Sequence, residues 1–155
     1  MNAGKRLARE EKTLTAMLRI YCAGRHQAPA GLCADCGALR AYAGERLVRW
    51  GCCVGAGGNT PVGTFHIQNK GVWPGWRAYW GEFIPGGSAR NPLGARWLGT
   101  TARGRATERV IGIHGTNQPS SIGQRISGGC MRLTNAHAIE LYDTIPIGTR
   151  VVIHE

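Results

Sequence analysis

The sequence predicts a mainly β domain over residues 51–155, preceded by a short helical segment over residues 1–50. From residue 51 onward, short segments rich in Val, Ile, Thr and aromatic residues alternate with turns built from Gly, Pro and Asn. The chain of 155 residues contains 24 glycines, which favour turns and β structure over long helices. A chain of this length is expected to form a compact core of its own.

Two stretches of the first fifty residues have the apolar spacing of a helix. Residues 5–22 repeat apolar side chains at intervals of three, four and seven, which predicts an amphipathic helix. Residues 37–50 repeat a similar spacing, although a glycine interrupts it. The alternative for this second stretch is a hairpin of strands over 38–42 and 46–50. We favour the helix, in which case the β domain lacks edge strands and exposes unpaired backbone.

The β domain divides into short elements separated by turns. A turn followed by a strand is predicted over residues 60–67, and further strands over 96–98, 109–114 and 149–153. A short helix is predicted over residues 135–142, with Thr134 as its N-cap. Residues 70–88 place three tryptophans among glycine and proline, which indicates a long loop over the sheet that is able to act as a lid. These tryptophans are expected to pack the loop rather than to form a platform for a sugar.

The chain is strongly basic, with a formal net charge of +10 at pH 7. A basic surface suits nucleic acid, anionic lipid or an acidic cell-wall polymer, and charge alone does not choose among them. No apolar stretch approaches the roughly 18–20 residues of a membrane span. Charged residues interrupt the apolar run that a signal peptide needs near the N-terminus, so no signal peptide is expected in this chain as given.

Cys130 and His114 carry the strongest chemical signal. Cys130 follows Gly128 and Gly129, and His114 lies sixteen residues earlier at the end of a predicted strand. A cysteine is a strong nucleophile only as a thiolate, and an imidazole close in space can take its proton. The glycines let a carbonyl group approach the sulfur and leave backbone N–H groups free to hold an oxyanion. The pattern therefore predicts acyl transfer through a thioester.

Several ordered motifs extend this signal through the second part of the chain. They are 59–65 (NTPVGTF), 91–99 (NPLGARWLG), 114–117 (HGTN), 120–123 (SSIG) and 127–132 (SGGCMR). This series resembles the L,D-transpeptidase catalytic domain, or YkuD family, in which a histidine precedes a Ser/Thr-His-Gly-Cys motif by a similar distance. The resemblance implies a sandwich-like β fold over residues 51–155 and a cysteine acyltransferase that needs no cofactor for catalysis.

The resemblance also assigns roles to individual residues. It implies that Cys130 is the nucleophile, that His114 is its general base, and that the Gly115 carbonyl orients the imidazole. The amides of Gly129 and Cys130 would hold the oxyanion. Arg132 would bind a substrate carboxylate through its guanidinium fork. Three further residues are expected around the substrate, namely Ser127, Asn117 and Arg96.

Position 128 departs from the family pattern. The family usually has a histidine two residues before the cysteine, whereas this chain has Gly128. If that histidine only tunes the oxyanion site, activity persists at a reduced rate. If it activates the thiol, this chain is weak or inactive. His137 follows Cys130 by seven residues and is not expected to replace the missing side chain.

The first fifty residues resemble a second family, the nitrous-oxide-stimulated promoter family, through segments 4–14, 17–26 and 31–36. Four potential metal ligands lie in this region: Cys22, His26, Cys33 and Cys36. Cysteine and histidine side chains so close in sequence can hold a tetrahedral zinc ion, which would be structural. The alternatives are reduced structural thiols, or a redox pair formed by Cys33 and Cys36.

The resemblance to the transpeptidases implies a function in the cell wall. The enzyme would attack the meso-diaminopimelate carbonyl of a peptidoglycan tetrapeptide stem, release D-alanine, and pass the acyl group to an amine of a neighbouring stem or to water. Its partners would be peptidoglycan stem peptides rather than nucleic acid, and its place the cell envelope. The alternative is a weak or inactive cell-wall domain fused to a module that binds zinc, nucleic acid or protein.

Overall fold

The computed structural model describes residues 17–21, 38–43 and 46–154. Its strands, numbered β1 to β12 in chain order, are Met17–Tyr21, Ala38–Ala43, Arg46–Gly51, Val54–Gly55, Gly63–Val72, Trp76–Arg77, Phe83–Ile84, Arg96–Arg103, Val110–His114, Arg125–Ser127, Met131–Arg132 and Arg150–His154. The α-helix of the described chain, α1, is Asn135–Thr144. Short 3₁₀ turns are formed by Ala56–Gly58 and Pro119–Ser121.

Eight of the described strands form one sheet in the order β11-β9-β8-β5-β12-β1-β2-β3. The pairs β1–β12 and β11–β9 are parallel, and the other neighbours are antiparallel. Strands β4 and β10 form a small parallel pair, and β6 and β7 form a short hairpin. The predicted mainly β, sandwich-like fold class is therefore confirmed.

The helix predictions for the first fifty residues are wrong where the structure describes this part of the chain. Within the predicted helix 5–22, residues 17–21 form β1. Residues 5–16 and 22 lie outside the described part of the chain. The predicted helix 37–50 is instead the β2–β3 hairpin, the alternative considered for this stretch. The reason is the edge of β12: β1 pairs with it, and β2–β3 extend the same sheet. These pairings satisfy backbone groups that a helix would have left exposed at the sheet edge.

The elements predicted beyond residue 51 are confirmed in type. Strands β5, β8, β9 and β12 overlap the four predicted segments, and α1 begins after Thr134, whose hydroxyl accepts a hydrogen bond from the His137 amide at 3.2 Å. The predicted loop over 70–88 contains the β6–β7 hairpin, called the lid hairpin below. Among the described residues, no helix has the length and apolar content needed to cross a membrane. The division into domains at residue 51 stays a prediction.

A hydrophobic cluster of described residues supports the strands that carry the site. Its largest fully buried side chains are Ile67, Leu98, Ile111, Ile113, Met131, Leu133, Leu141, Ile145 and Ile153. Burial of a side chain of this size contributes about 1.5–3 kcal/mol. Alternate residues of β9 point into the cluster, so the intervening residues, including His114, face the other side of the strand. The core thereby fixes the direction in which the candidate catalytic side chains point.

Candidate active site

A cavity of about 260 Å³ opens beside β9 and the turn that precedes β11. Four of the residues predicted from the sequence line it: Cys130, His114, Arg132 and Ser127. The wall also includes Arg109, and no acidic side chain is among the lining residues. The cavity is therefore electropositive and suits an anionic substrate.

His114 ends β9 and is buried, with 3% of its surface exposed. Its Nδ1 lies 2.6 Å from the Gly115 carbonyl oxygen. In a neutral ring this contact places the proton on Nδ1 and leaves Nε2 to accept another. Burial is the main cause that lowers the pKa of His114 to about 4, and the positive charge of Arg132 acts in the same direction. Hydrogen bonds to the Gly115 and Leu93 carbonyls oppose this shift. The imidazole is thus neutral at pH 7 and able to take a proton.

Cys130 lies in the turn between β10 and β11, and its sulfur rests against β9. The Gly112 amide donates to Sγ at 3.4 Å, and Sγ lies 3.9 Å from the Val110 carbonyl oxygen. Burial raises the pKa of the Cys130 thiol, while the Gly112 N–H and the charge of Arg132 lower it. Sγ thus lies against the backbone of β9, the strand that His114 ends. Attack from a neutral thiol then requires that a base remove its proton.

The turn that carries the nucleophile is held by two hydroxyl groups. Ser127 Oγ donates to the Cys130 carbonyl at 2.6 Å and accepts from the Gly129 amide at 3.2 Å. Thr60 Oγ1 donates to the Gly129 carbonyl at 2.7 Å and accepts from the Gly55 amide at 2.8 Å. Gly129 has a φ of 132°, which a side chain rarely adopts. In this state Ser127 braces the turn, and the Gly129 amide must leave Ser127 before it can serve an oxyanion.

The three arginine and asparagine residues expected around the substrate occupy different places. Arg132 lines the cavity, and its Nε is buried with no hydrogen-bond partner in the described part of the chain. Arg96 instead lies over the Tyr142 ring, 5.3 Å from its centroid, and is not among the lining residues. Asn117 also lies outside the lining, where its side-chain amide donates to the Ala89 carbonyl at 2.9 Å. Substrate contacts by Arg96 and Asn117 stay predictions.

Asn135 is a structural link that the sequence did not reveal. Its Oδ1 accepts hydrogen bonds from the Ala95 amide at 3.0 Å and from the Thr116 amide at 3.1 Å. A side chain at Gly94 or Gly115 would collide with this oxygen, so both positions require glycine. Asn135 therefore ties the turn before β8 to the loop that holds the His114 ring. Nothing local marks this role, because the partners lie forty and nineteen residues away in sequence.

A tyrosine of the lid hairpin occupies the space beside Gly128. A Cβ added to Gly128 would lie 2.9 Å from Tyr79 Oη. The Arg109 guanidinium lies over the Tyr79 ring, 4.2 Å from its centroid, and Trp76 meets the ring edge-on at 6.5 Å. The absence of a side chain at position 128 is thus accompanied by close approach of the lid.

The predicted zinc ligands Cys22, His26, Cys33 and Cys36 lie outside the described residues. Within residues 17–21, 38–43 and 46–154, no group of three or more His, Cys, Asp or Glu side chains is placed to hold a metal ion. A structural zinc in the first fifty residues stays a prediction.

Comparisons with known proteins agree with the geometry. The family model of the L,D-transpeptidase catalytic domain matches residues 34–153, and the model described as nitrous oxide-stimulated promoter matches residues 5–58. The putative L,D-transpeptidase YqjB of Bacillus subtilis is 47% identical over 94 residues, which cover 61% of this chain and 51% of the relative. The putative L,D-transpeptidase YkuD of Bacillus licheniformis is 38% identical over 117 residues, which cover 74% of this chain and 58% of the relative. The chain spans about half the length of these curated relatives.

Solved structures show the same fold. The catalytic domain of the E. faecium L,D-transpeptidase acylated by ertapenem superimposes with a TM-score of 0.62 at 16% identity, over 90% of this chain and 96% of that chain. The Ldtfm–avibactam carbamoyl enzyme gives a TM-score of 0.65 at 17% identity, over 90% of this chain and 49% of that chain. Because the family model covers residues 34–153, well over half of the sequence, this chain belongs to the L,D-transpeptidase catalytic-domain family.

Proposed function

We propose that this protein is a cysteine acyltransferase that acts on peptidoglycan tetrapeptide stems, at the cell envelope where that polymer lies. The observation that carries the proposal is the cavity that Cys130, His114 and Arg132 line together, where Sγ rests against the same strand that His114 ends. The family's activity supports this assignment. The same cavity contains the arginines that an anionic stem peptide requires.

The first half-reaction transfers the stem to the enzyme. His114 Nε2 takes the thiol proton while Sγ attacks the carbonyl of meso-diaminopimelate, which forms the S–C bond. The Cys130 amide, with the Gly129 amide if it is released from Ser127, stabilises the oxyanion. The C–N bond to D-alanine then breaks, and the leaving amine takes the proton from His114. The products are a thioester on Cys130 and free D-alanine.

Arg132 is suited to orient the stem. Its Nε is buried and lacks a partner in the described chain, and a buried unpaired donor is costly. The residue also lines the cavity, where a carboxylate of the substrate would accept hydrogen bonds from the guanidinium. Arg132 would thereby hold the scissile carbonyl beside the sulfur of Cys130, which precedes it by only two residues in the chain.

The acceptor decides the product. An amine of a neighbouring stem would attack the thioester and give a 3–3 cross-link, whereas water would give a trimmed tripeptide. Incubation of the protein with a purified disaccharide tetrapeptide, followed by mass spectrometry of the soluble products, separates the two. Cross-linking predicts a dimer with loss of one D-alanine, and hydrolysis predicts the tripeptide alone.

The acyl-enzyme itself provides the direct test. Incubation with ertapenem or a tetrapeptide stem should add one acyl group to the protein, and peptide mapping should place it on Cys130. The Cys130→Ala variant should show no adduct, whereas Cys53→Ala removes a fully buried thiol that is not among the residues lining the cavity, and it should retain the adduct. Absence of an adduct where a known family member forms one, or an adduct on Cys130→Ala, would refute the proposal.

The pH dependence of acylation should reflect a base with a low pKa. Because the pKa of His114 is lowered to about 4, the imidazole remains unprotonated as pH falls through its ordinary value near 6.5. We expect the second-order rate constant for ertapenem acylation to stay nearly level from about pH 8 down to about pH 5 and to fall through about pH 4. Stopped-flow absorbance measures the rate, and tryptophan fluorescence at each pH controls for unfolding. A midpoint near 6.5 would contradict this prediction.

Replacement of Gly128 by histidine is expected to move the lid rather than to raise activity. The backbone at Gly128 accepts a side chain, and the atom nearest to the new Cβ is the hydroxyl of Tyr79, whose residue is 62% exposed. We expect a change in unfolding free energy within about 0.5 kcal/mol, typical of surface sites. Acylation rates of Gly128→His, Tyr79→Ala and the double variant measure the coupling. Histidine should have less effect once Tyr79 is removed; a rate gain above tenfold in Gly128→His alone would show that the missing side chain limits catalysis.

A further inference from the structure

A groove without side chains crosses the sheet beside the catalytic pair. Gly99 of β8 and Gly112 of β9 are direct register partners. A Cβ at Gly112 would collide with the six-membered part of the Trp97 indole, and a Cβ at Gly99 would lie 2.8 Å from Trp97 Nε1. The indole therefore fills the groove that the paired glycines leave. Glycine within a strand often marks such a close approach, and here two act together.

Trp97 is held at both ends of this groove. On one side it is the register partner of His114, and the two rings stack with centroids 5.9 Å apart and planes inclined by 23°. On the other side its Nε1 donates to Asn69 Oδ1 at 2.9 Å. Asn69 belongs to β5, where it pairs with Gly99. Three neighbouring strands thus fix the orientation of one indole ring.

We propose that Trp97 is a positioning residue for the catalytic base: it holds the His114 ring against the Gly115 carbonyl and shields that ring from water. This inference rests on the proposed function, in which His114 takes the proton of Cys130. Gly112 belongs to the same arrangement, because its missing side chain admits the indole while its amide donates to the sulfur at 3.4 Å. Trp97 and Gly112 therefore position the base His114 and the nucleophile Cys130 against the same pair of strands.

The charged and titratable groups near the His114 ring belong to other residues, so a change at Trp97 does not remove them. Arg132 of β11 contributes the positive charge that acts on the ring, and the turn before β11 contributes a neutral thiol. The guanidinium of Arg96 on β8 lies over the Tyr142 ring instead. Arg109, the other arginine that lines the cavity, lies over the Tyr79 ring of the lid hairpin. Removal of the indole should therefore act mainly by admitting water, which raises the pKa of His114 toward its ordinary value.

The test follows the His114 imidazole by NMR titration in the full chain without substrate. Wild type should titrate near pH 4, and Trp97→Leu should titrate higher by roughly one unit or more. Trp97→Phe retains a ring and should fall between them. Asn69→Ala removes only the anchor of the indole and should shift the midpoint in the same direction by less. The matched control is Trp80→Phe, because Trp80 is 69% exposed and lies in the lid hairpin.

Acylation by ertapenem supplies the second readout. Trp97→Leu should lower the rate at pH 7 by about 10- to 100-fold, the scale expected when a catalytic group is misplaced. An unchanged His114 midpoint in both Trp97 variants, or an unchanged acylation rate, would overturn the inference. If Trp97→Leu does not fold, Trp97→Phe and Asn69→Ala decide the question. Failure of the wild type to form an adduct would instead count against the proposed function, since the titration needs no substrate.

Discussion

Replacement of His114 by glutamine is expected to lower the rate of Cys130 acylation at pH 7 by about 10²–10⁴-fold, the range that a positioned proton acceptor contributes. Glutamine is similar in size and can donate to the Gly115 carbonyl, but it cannot take the thiol proton. Because burial raises the pKa of Cys130, little thiolate forms at this pH without a base. Formation of the ertapenem adduct, followed by mass spectrometry over time, measures the rate.

The pH dependence of this variant separates loss of the base from misfolding. As the pH rises toward the raised pKa of the Cys130 thiol, hydroxide itself generates thiolate, so the ratio between wild-type and His114→Gln rates should shrink. His66→Gln is the matched control, since His66 is an exposed residue of β5 and should leave the rate unchanged. A His114→Gln variant that acylates within tenfold of the wild type at pH 7 would show that another group accepts the proton.

The residues that carry chemistry were accessible from the sequence because their types and order are informative. A histidine at a strand end and a cysteine after two glycines pointed to one site, and the structure brings Cys130, His114 and Arg132 to one cavity. Their catalytic roles stay predictions until the adduct is measured. Ser127 was also placed at the site, although its contacts show that it braces the turn.

The residues that align the site were not accessible, because their roles depend on register across the sheet. Trp97 is one tryptophan among five until Gly99 and Gly112 are known to face each other. Thr60 acquires its role through a hydrogen bond to Gly129, sixty-nine residues away. Isolated glycines within predicted strands are a usable signal, since they often indicate that other atoms approach the strand closely. They do not indicate which atoms these are.

The N-terminal strands were misread for a related reason. Apolar spacing in residues 17–21 and 38–50 fits a helix. Nothing in these segments reveals that β1 can pair with the edge of β12, which lies more than a hundred residues later in the sequence. Backbone pairing across that edge outweighs weak helical preference, because each buried N–H and C=O needs a partner. Unpaired backbone at the sheet edge favours the hairpin over 38–50, whereas the local apolar spacing favours the helix.

The fold is expected to depend strongly on the side chain of Asn135. In Asn135→Ala, the amides of Ala95 and Thr116 lose their common acceptor, and both residues are buried, with 1% and 3% of their surface exposed. An unsatisfied buried donor costs about 1–3 kcal/mol, so we expect the free energy of unfolding to fall by about 2–4 kcal/mol. Urea denaturation at pH 7 measures it.

Asn135→Asp is the matched control for this prediction, because a carboxylate keeps an oxygen for both amides and suits the first turn of α1. It should retain most of the stability that Asn135→Ala loses. Since the loop after His114 depends on the same oxygen, Asn135→Ala should also slow acylation under conditions in which the variant is fully folded. The negative charge of Asn135→Asp should raise the pKa of the nearby imidazole, so its acylation should begin to fall at a higher pH than that of the wild type. Equal destabilisation by alanine and aspartate would mean that the shared acceptor is not what holds the two loops together.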